Sequence, residues 1–324
     1  MASTNWPWLP RSRKIGASNM STGTVLVVLT KIRPEERAII NALEAIGLNV
    51  IISVDGRDLG WLMQGNERAQ PQVALLRCLS QSKNVEVSRM LKACGIHTIN
   101  SNEAISICCS KIAQALIFRQ NDIPAPASWI AFCSEEIERY GEQFGFNFVL
   151  KPSSSSWGRG VTLIRSRESL EAWLSAWETH DAMFKHFPIL IQEFVDKPGY
   201  DLRVVVVDGE PLVAFRRETD HWKTNTHLGA SVVPCEITEA MRALTVNVVE
   251  AIGPGIYGLD LFEQRNSPDL LVCEVNQNPE FARSSQIHGV DIASAIAAYA
   301  AREVARFKPD FWETKPVQAS AVAV

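Results

Sequence analysis

Leu271-Val272-Cys273-Glu274-Val275-Asn276, read with Gly258-Leu259-Asp260-Leu261-Phe262 upstream of it, decides how this chain folds. Both are short apolar runs of strand length, and each carries an acid in its interior. Alternate side chains of a strand share a face, so Glu274 and Asn276 point the same way, and Asp260 joins them if the two strands pair. An isolated acid in an apolar strand needs a partner. Three oxygen donors on one sheet face suit Mg²⁺ carrying nucleotide phosphates. The competing reading is a solvated polar face.

Working outward, Phe148-Val149-Leu150-Lys151-Pro152 is a strand that runs into Ser153-Ser154-Ser155-Ser156-Trp157-Gly158-Arg159-Gly160. Backbone N–H groups in such a loop can approach phosphate oxygens, and Lys151 supplies compensating charge. An ordinary polar hairpin loop has the same composition. The loop lacks the third glycine of a dinucleotide fingerprint, which disfavours a Rossmann site. Gln192-Glu193-Phe194-Val195-Asp196 leaves a strand for a hinge containing Pro198 and Gly199, where free backbone groups could meet an adenine ring. Asp201 and Arg203 then share a face at period two. Arg216-Arg217, followed by Trp222-Lys223-Thr224-Asn225-Thr226, is either a solvated strand end or an arginine fork for a carboxylate or phosphate.

Near the start, Thr24–Leu29, a helix from Pro34 to Gly47 with Ala38, Ile39, Leu43 and Ile46 on one face, and Asn49–Ile52 make a strand–helix–strand unit, continued by Val73–Leu76. A helix from Lys111 to Gln120 opens a second segment. A third alternates strands (Leu202–Val207, Pro211–Phe215, Tyr257–Phe262, Leu270–Val275) with helices, the last from Ile292 to about Phe307. The 324 residues are 46% hydrophobic and 21% charged with a net charge of −4, which gives no sequence-wide attraction to nucleic acid or anionic lipid. No apolar run is long enough to span a membrane. Seven cysteines without a CxxC pair read as reduced thiols in the cytoplasm. Residues 1–23 read as a disordered leader, or as a docking arm using Trp6 and Trp8; residues 311–324 read as a disordered tail.

Taken in order, KPSSSSWGRGV (151–161), QEFVDKPGYDLRV (192–204), WKTNTHLGA (222–230) and CEVNQNPEFARSSQIHGVDI (273–292) resemble the ATP-grasp carboxylate–amine ligases. The closest resemblance is to the branch holding ribosomal-protein glutamate ligase and the amino-group-carrier-protein ligases of lysine biosynthesis, above all alpha-aminoadipate–carrier-protein ligase. It covers roughly residues 24 to 308. It implies an α/β (α+β) ATP-grasp fold of three domains: an open N-terminal α/β sheet (24–110), a mobile central lid (111–190) and a C-terminal antiparallel-sheet domain (191–310).

The resemblance also implies roles. Lys111, Lys151 and the loop Ser155, Ser156, Trp157, Gly158, Arg159, Gly160 and Val161 would hold ATP phosphates. Glu193 and Val195, flanked by Gln192 and Phe194, would meet adenine, with Asp201 and Arg203 nearby. Arg203, Arg216 and Asn225 would serve catalysis at the junction of phosphate and substrate. Asp260, Glu274 and Asn276 would bind two Mg²⁺ ions, with Mn²⁺ able to replace them. Asn225-Thr226 and the run Glu280, Phe281, Ala282, Arg283, Ser284 would line the amino-acid pocket; Arg283, which stands where the family pattern differs, reads either as a solvated loop arginine or as a partner for an acidic group of the amine or the carrier tail. The implied partners are an amino acid and a small acidic carrier protein ending in glutamate, acted on by a homodimer or homotetramer. Two departures stand out: the family commonly reads Glu-Phe-Lys-Asn-Ser at the pocket, and two glycines where this chain has Gly229-Ala230. A glutamate ligase acting on a protein tail or coenzyme, a carrier ligase for another amino acid, and a nucleotide-binding regulatory protein are the alternatives.

Overall fold

The computed structural model describes residues 23–64, 70–155, 157–179, 187–224 and 230–307. The expected leader apart from Gly23, the expected tail, Ser156, Asn225 and Thr226 lie outside them.

A parallel sheet forms from β1 (Thr24–Leu29), β2 (Asn49–Val54), β3 (Val73–Arg77) and β4 (His97–Ile99), in the order β2-β1-β3-β4. β1 is buried along its whole length, as a central parallel strand must be. The chain leaves β1 on one side and returns as β3 on the other. That reversal opens a crevice at the strands' carboxyl ends. α1 (Pro34–Ala45) has proline in its first turn and ends before Gly47, whose φ is +85°. It buries Ile39, Ile40 and Leu43, but Ile46, expected on that face, is 49% exposed. The helix stops at Ala45, so Ile46 belongs to the turn. α2 (Gln81–Ala93) and α3 (Asn102–Cys108) complete this part.

A second sheet, antiparallel in the order β5-β8-β6-β7, combines β5 (Ser128–Ala131), β6 (Phe148–Pro152), β7 (Thr162–Ile164) and β8 (Ile189–Glu193). α5 (Ser134–Phe144) and α6 (Arg167–Thr179) cover it through a core of Ile137, Phe148, Leu150, Ile164 and Leu170. The boundary expected at 190/191 falls inside β8, which pairs with both β5 and β6. Conversely α4 (Lys111–Gln120), placed by the sequence in the central unit, sends Phe118 into the core behind the third sheet.

That third sheet is antiparallel, β11-β10-β9-β12-β13, built from β9 (Tyr200–Val207), β10 (Glu210–Glu218), β11 (Ser231–Cys235), β12 (Ile256–Gln264) and β13 (Ser267–Asn276). On one face, Leu202, Val204, Val206 and Ala214 pack with Leu244 and Val248 of α7 (Glu239–Ile252). On the other, Val205, Val207, Val213 and Phe215 join β1, α1 and the last helix α9 (Ile292–Arg306) in one core. α8 (Ala282–His288) lies between β13 and α9. Along β9 this second face changes from Val207 and Val205 to Arg203 and Asp201, so an apolar floor becomes a charged one where the three sheets converge.

Candidate active site

The charged end of the third sheet is set by register. Arg203 of β9 stands opposite Asp260 of β12, which stands opposite Glu274 of β13; Gly258 stands opposite Asn276, and Asp201 opposite Arg217. Arg203 donates two hydrogen bonds to Asp260. Arg217 reaches the same carboxylate at 3.1 Å and grips Asp201 bidentately at 2.7 and 2.6 Å. Thr224 also donates to Asp201. Burial alone would raise the Asp260 carboxyl, but Arg203 and Arg217 overcome it and hold the group below its usual range. Lys111, first residue of α4, bridges Glu274 at 3.1 Å and the Ser155 carbonyl at 2.8 Å. Register shifts after Asp260, so Cys273 is the extra residue of a β-bulge beside this row.

Asp260, Glu274 and Asn276 are therefore brought together on one face, with Asn276 Nδ2 3.4 Å from Asp260 Oδ2. Two in-register carboxylates and an amide, each carboxylate already facing a cation, fit a hard divalent ion shared with phosphates.

A cavity of about 440 Å³ rises from this floor between the sheets. Its central wall carries Lys151, buried, with Nζ 2.5 Å from Gln192 Oε1 and 3.7 Å from Cys273 Sγ. Ser155, Trp157, Gly158 and Val161 line it from the loop, and Glu193, Phe194 and Val195 from the end of β8. Arg159 and Gly160 do not: Arg159 stacks on the Trp157 ring at 4.9 Å, and a Cβ on Gly160, at φ +72°, would meet Pro152 Cγ at 2.8 Å. Lys197, read from sequence only as part of the hinge, also lines the cavity. Its Nζ lies 3.1 Å from Thr224 Oγ1 and 4.7 Å over the Phe262 ring, and desolvation lowers its pKa from the usual range.

The third wall comes from the crevice of the parallel sheet. Arg33, before α1, and Arg77, at the end of β3, share the carboxylate of Glu36, which is 0% exposed. Arg33 Nη1 also contacts Glu280 at 3.1 Å. Arg77 donates to the Pro279 carbonyl at 3.2 Å and lies over the Phe281 ring. None of Arg33, Glu36 or Arg77 is flagged by a local motif; the available signals are an acid pair in the first turn of a helix and an arginine ending an apolar strand.

Two expectations are corrected. Arg216 faces away from the cavity. In β10 it shares parity with Ala214, in the rear core, and stacks on Tyr200 at 4.9 Å; Arg217, on the parity of Phe215, is the arginine at the site. Of the run from Glu280 to Ser284, only Glu280 lines the cavity. Phe281 and Ser284 are buried in packing, the Ala282 amide donates to Glu35, and Arg283 is exposed on α8. The chain turns into a helix after Glu280, and Phe281 is drawn into the core beneath it.

Comparison with known proteins places the chain in a family. The RimK-like ATP-grasp domain matches residues 109–300 and the LysX preATP-grasp domain residues 25–107. The alpha-aminoadipate–LysW ligase LysX of Saccharolobus solfataricus is 31% identical over 229 residues, covering 70% of this chain and 82% of that protein. The glutamate–LysW ligase ArgX of Sulfolobus acidocaldarius is 29% identical over 280 residues, covering 85% and 97%. Among solved structures, the RimK domain ATP-grasp protein of Sphaerobacter thermophilus superposes with a TM-score of 0.70 at 21% identity, covering 85% of this chain and 98% of that one. With a family model spanning more than half its length and a row of facing acids and cations where the sheets meet, the chain belongs to the RimK-like ATP-grasp family and is an ATP-grasp ligase.

Proposed function

We propose that this ligase joins the α-amino group of an amino acid, α-aminoadipate in the first instance, to the C-terminal glutamate side chain of a small acidic carrier protein of the LysW kind, in the cytoplasm. The observation that carries the ATP chemistry is the row Arg203–Asp260–Glu274, tied by Lys111 to the Ser155 loop. The carrier is suggested by the LysW ligases among the relatives.

In this reading Lys111, Lys151 and the backbone of the loop from Ser155 hold the phosphates, and Glu193 and Val195 meet adenine. Asp260, Glu274 and Asn276 would hold Mg²⁺, which neutralises phosphate charge. The carrier carboxylate attacks the γ-phosphate, giving an acyl phosphate and ADP; the neutral amine then displaces phosphate. Arg203 and Arg217 stand beside the row where negative charge develops. Water is excluded as the central sheet closes over the nucleotide. LysX and ArgX match at similar identity, so glutamate is the competing amine.

The test supplies MgATP, a LysW-type carrier and a panel of amino acids. The expected result is a carrier mass increased by one amino acid less water, with one ADP released per transfer, and hydroxamate when hydroxylamine replaces the amine. ADP release without carrier modification would defeat the acceptor assignment, and AMP release would defeat the acyl-phosphate route.

A further inference from the structure

The Arg33 wall makes a carboxylate anchor that is closed by an internal stand-in. Glu36 holds Arg33 Nε at 2.9 Å and Nη2 at 2.7 Å, and is itself held by Arg77 Nε at 3.0 Å. These contacts fix the plane of the guanidinium and leave Nη1 directed toward Glu280 Oε1. Arg33 and Arg77 share the Glu36 carboxylate, and Glu35, which accepts the Ala282 amide, acts on both arginines through space. Glu280 is a second carboxylate in direct contact with Arg33, yet its side chain is 59% exposed, and an ion pair so wet is readily exchanged. Both partners line the cavity. The wall also lies close to the acid row: Pro279 packs where a Cβ on Gly258 would fall, beside Arg203. Next to it Asn278 lines the cavity with a buried Oδ1 that has no partner among the described residues, an acceptor available to an amine N–H.

We propose that Arg33 binds a carboxylate of one of the two organic substrates, and that Glu280 occupies this anchor until the substrate displaces it. The inference rests on the ligase reading above and deepens it: the enzyme selects an acid-bearing partner through its N-terminal sheet, apart from the phosphate-binding lysines. The carboxylate belongs either to the amino acid or to the C-terminus of the carrier, and the experiment separates the two.

Arg33→Gln and Glu280→Gln are compared with the parent in two ways. The first is KM for the amino acid, the carrier and ATP, each with the others saturating. The second is calorimetric titration, in the presence of MgADP, with α-aminoadipate, glutamate, glutamine, and a peptide ending in glutamate with a free or amidated C-terminus. Arg33→Gln is expected to weaken either the dicarboxylic amino acid or the free-ended peptide by about ten- to hundredfold, the range for a charge-assisted bond, with KM for ATP unchanged. Glu280→Gln is expected to act in the opposite sense, tightening the same ligand by up to about fivefold as the competitor is removed. A merely structural role for Arg33 would not produce that opposite shift, and Glu280 is exposed enough for its variant to fold. The proposal is overturned if Arg33→Gln moves neither ligand, if it weakens ATP equally, or if Glu280→Gln weakens binding. A parent that modifies no carrier would refute the carrier assignment alone, since the titrations still report on the anchor.

Discussion

Arg216 and Arg217 are neighbours in sequence and face opposite sides of a sheet, one on Tyr200 and the other on Asp201 and Asp260. Their variants should part accordingly. Arg217→Gln is expected to lower kcat/KM by at least about a hundredfold, while Arg216→Gln keeps kcat/KM for every substrate within about twofold. Equal losses in the steady-state ADP assay would refute the assignment by parity. For the acid row, Asp260→Asn and Glu274→Gln should both abolish turnover at saturating magnesium. They should differ in stability. Asp260 is a buried partner of two arginines, so its loss should lower the urea midpoint clearly, whereas Glu274, more exposed and paired among the described residues with Lys111 alone, should cost little. Lys151→Ala should raise KM for ATP far more than KM for the amine, because Lys151 sits on the central sheet beside Gln192, whereas Arg33 stands on the side of the parallel sheet. An unchanged ATP dependence would move the phosphate site elsewhere.

At the scale of the element, the strands and helices that place the site are legible from local pattern. Phe148–Pro152 and the helix Lys111–Gln120 coincide with the expected bounds, because apolar runs and helix stops are written in neighbouring residues. Parity at Arg216-Arg217 was not legible, since it depends on which face of β10 meets which core. Nor was the Arg33–Glu36–Arg77 group, whose members meet only when β1 and β3 lie side by side. That group should behave as one unit. Glu36→Gln leaves the buried Arg77 without a carboxylate and is expected to cost about 3–5 kcal/mol in urea unfolding. Arg77→Met in the Glu36→Gln background should recover part of this, giving a coupling that additive losses would disprove. Burial alone would raise the Glu36 carboxyl, but Arg33 and Arg77 hold it below its ordinary value of 4.5. Its contribution is therefore complete above the unfolded value and lost as pH falls through the lower folded one. Over that acid range parent stability should fall more steeply than that of Glu36→Gln.

Across the whole molecule, the first and third sheets share one core through α1 and α9, while the central sheet keeps a core of its own. The central sheet meets the rest mainly through polar ties around its loop. The Lys111 amide donates to the Ser153 carbonyl at 2.8 Å, Lys111 Nζ to the Ser155 carbonyl, and Ser154 Oγ to Gln81 at 3.0 Å. Two bodies joined by a few polar contacts, with the lysines proposed to bind phosphate on both sides of the gap, are in the proposed reading the parts that close on a nucleotide. Lys111 is a tie that also touches the acid row, so it couples the loop to Glu274. Lys111→Met keeps an unbranched side chain, one atom shorter, and removes both contacts of the ammonium group. In hydrogen exchange, MgATP should slow the amides of residues 153–161 in the parent. In Lys111→Met the same amides should exchange faster without nucleotide and gain less protection with it, while β1 and β12 remain as protected as before. Equal protection of the loop in the two proteins would show that closure does not run through Lys111 and would leave Lys151 and the β8 exit to carry it.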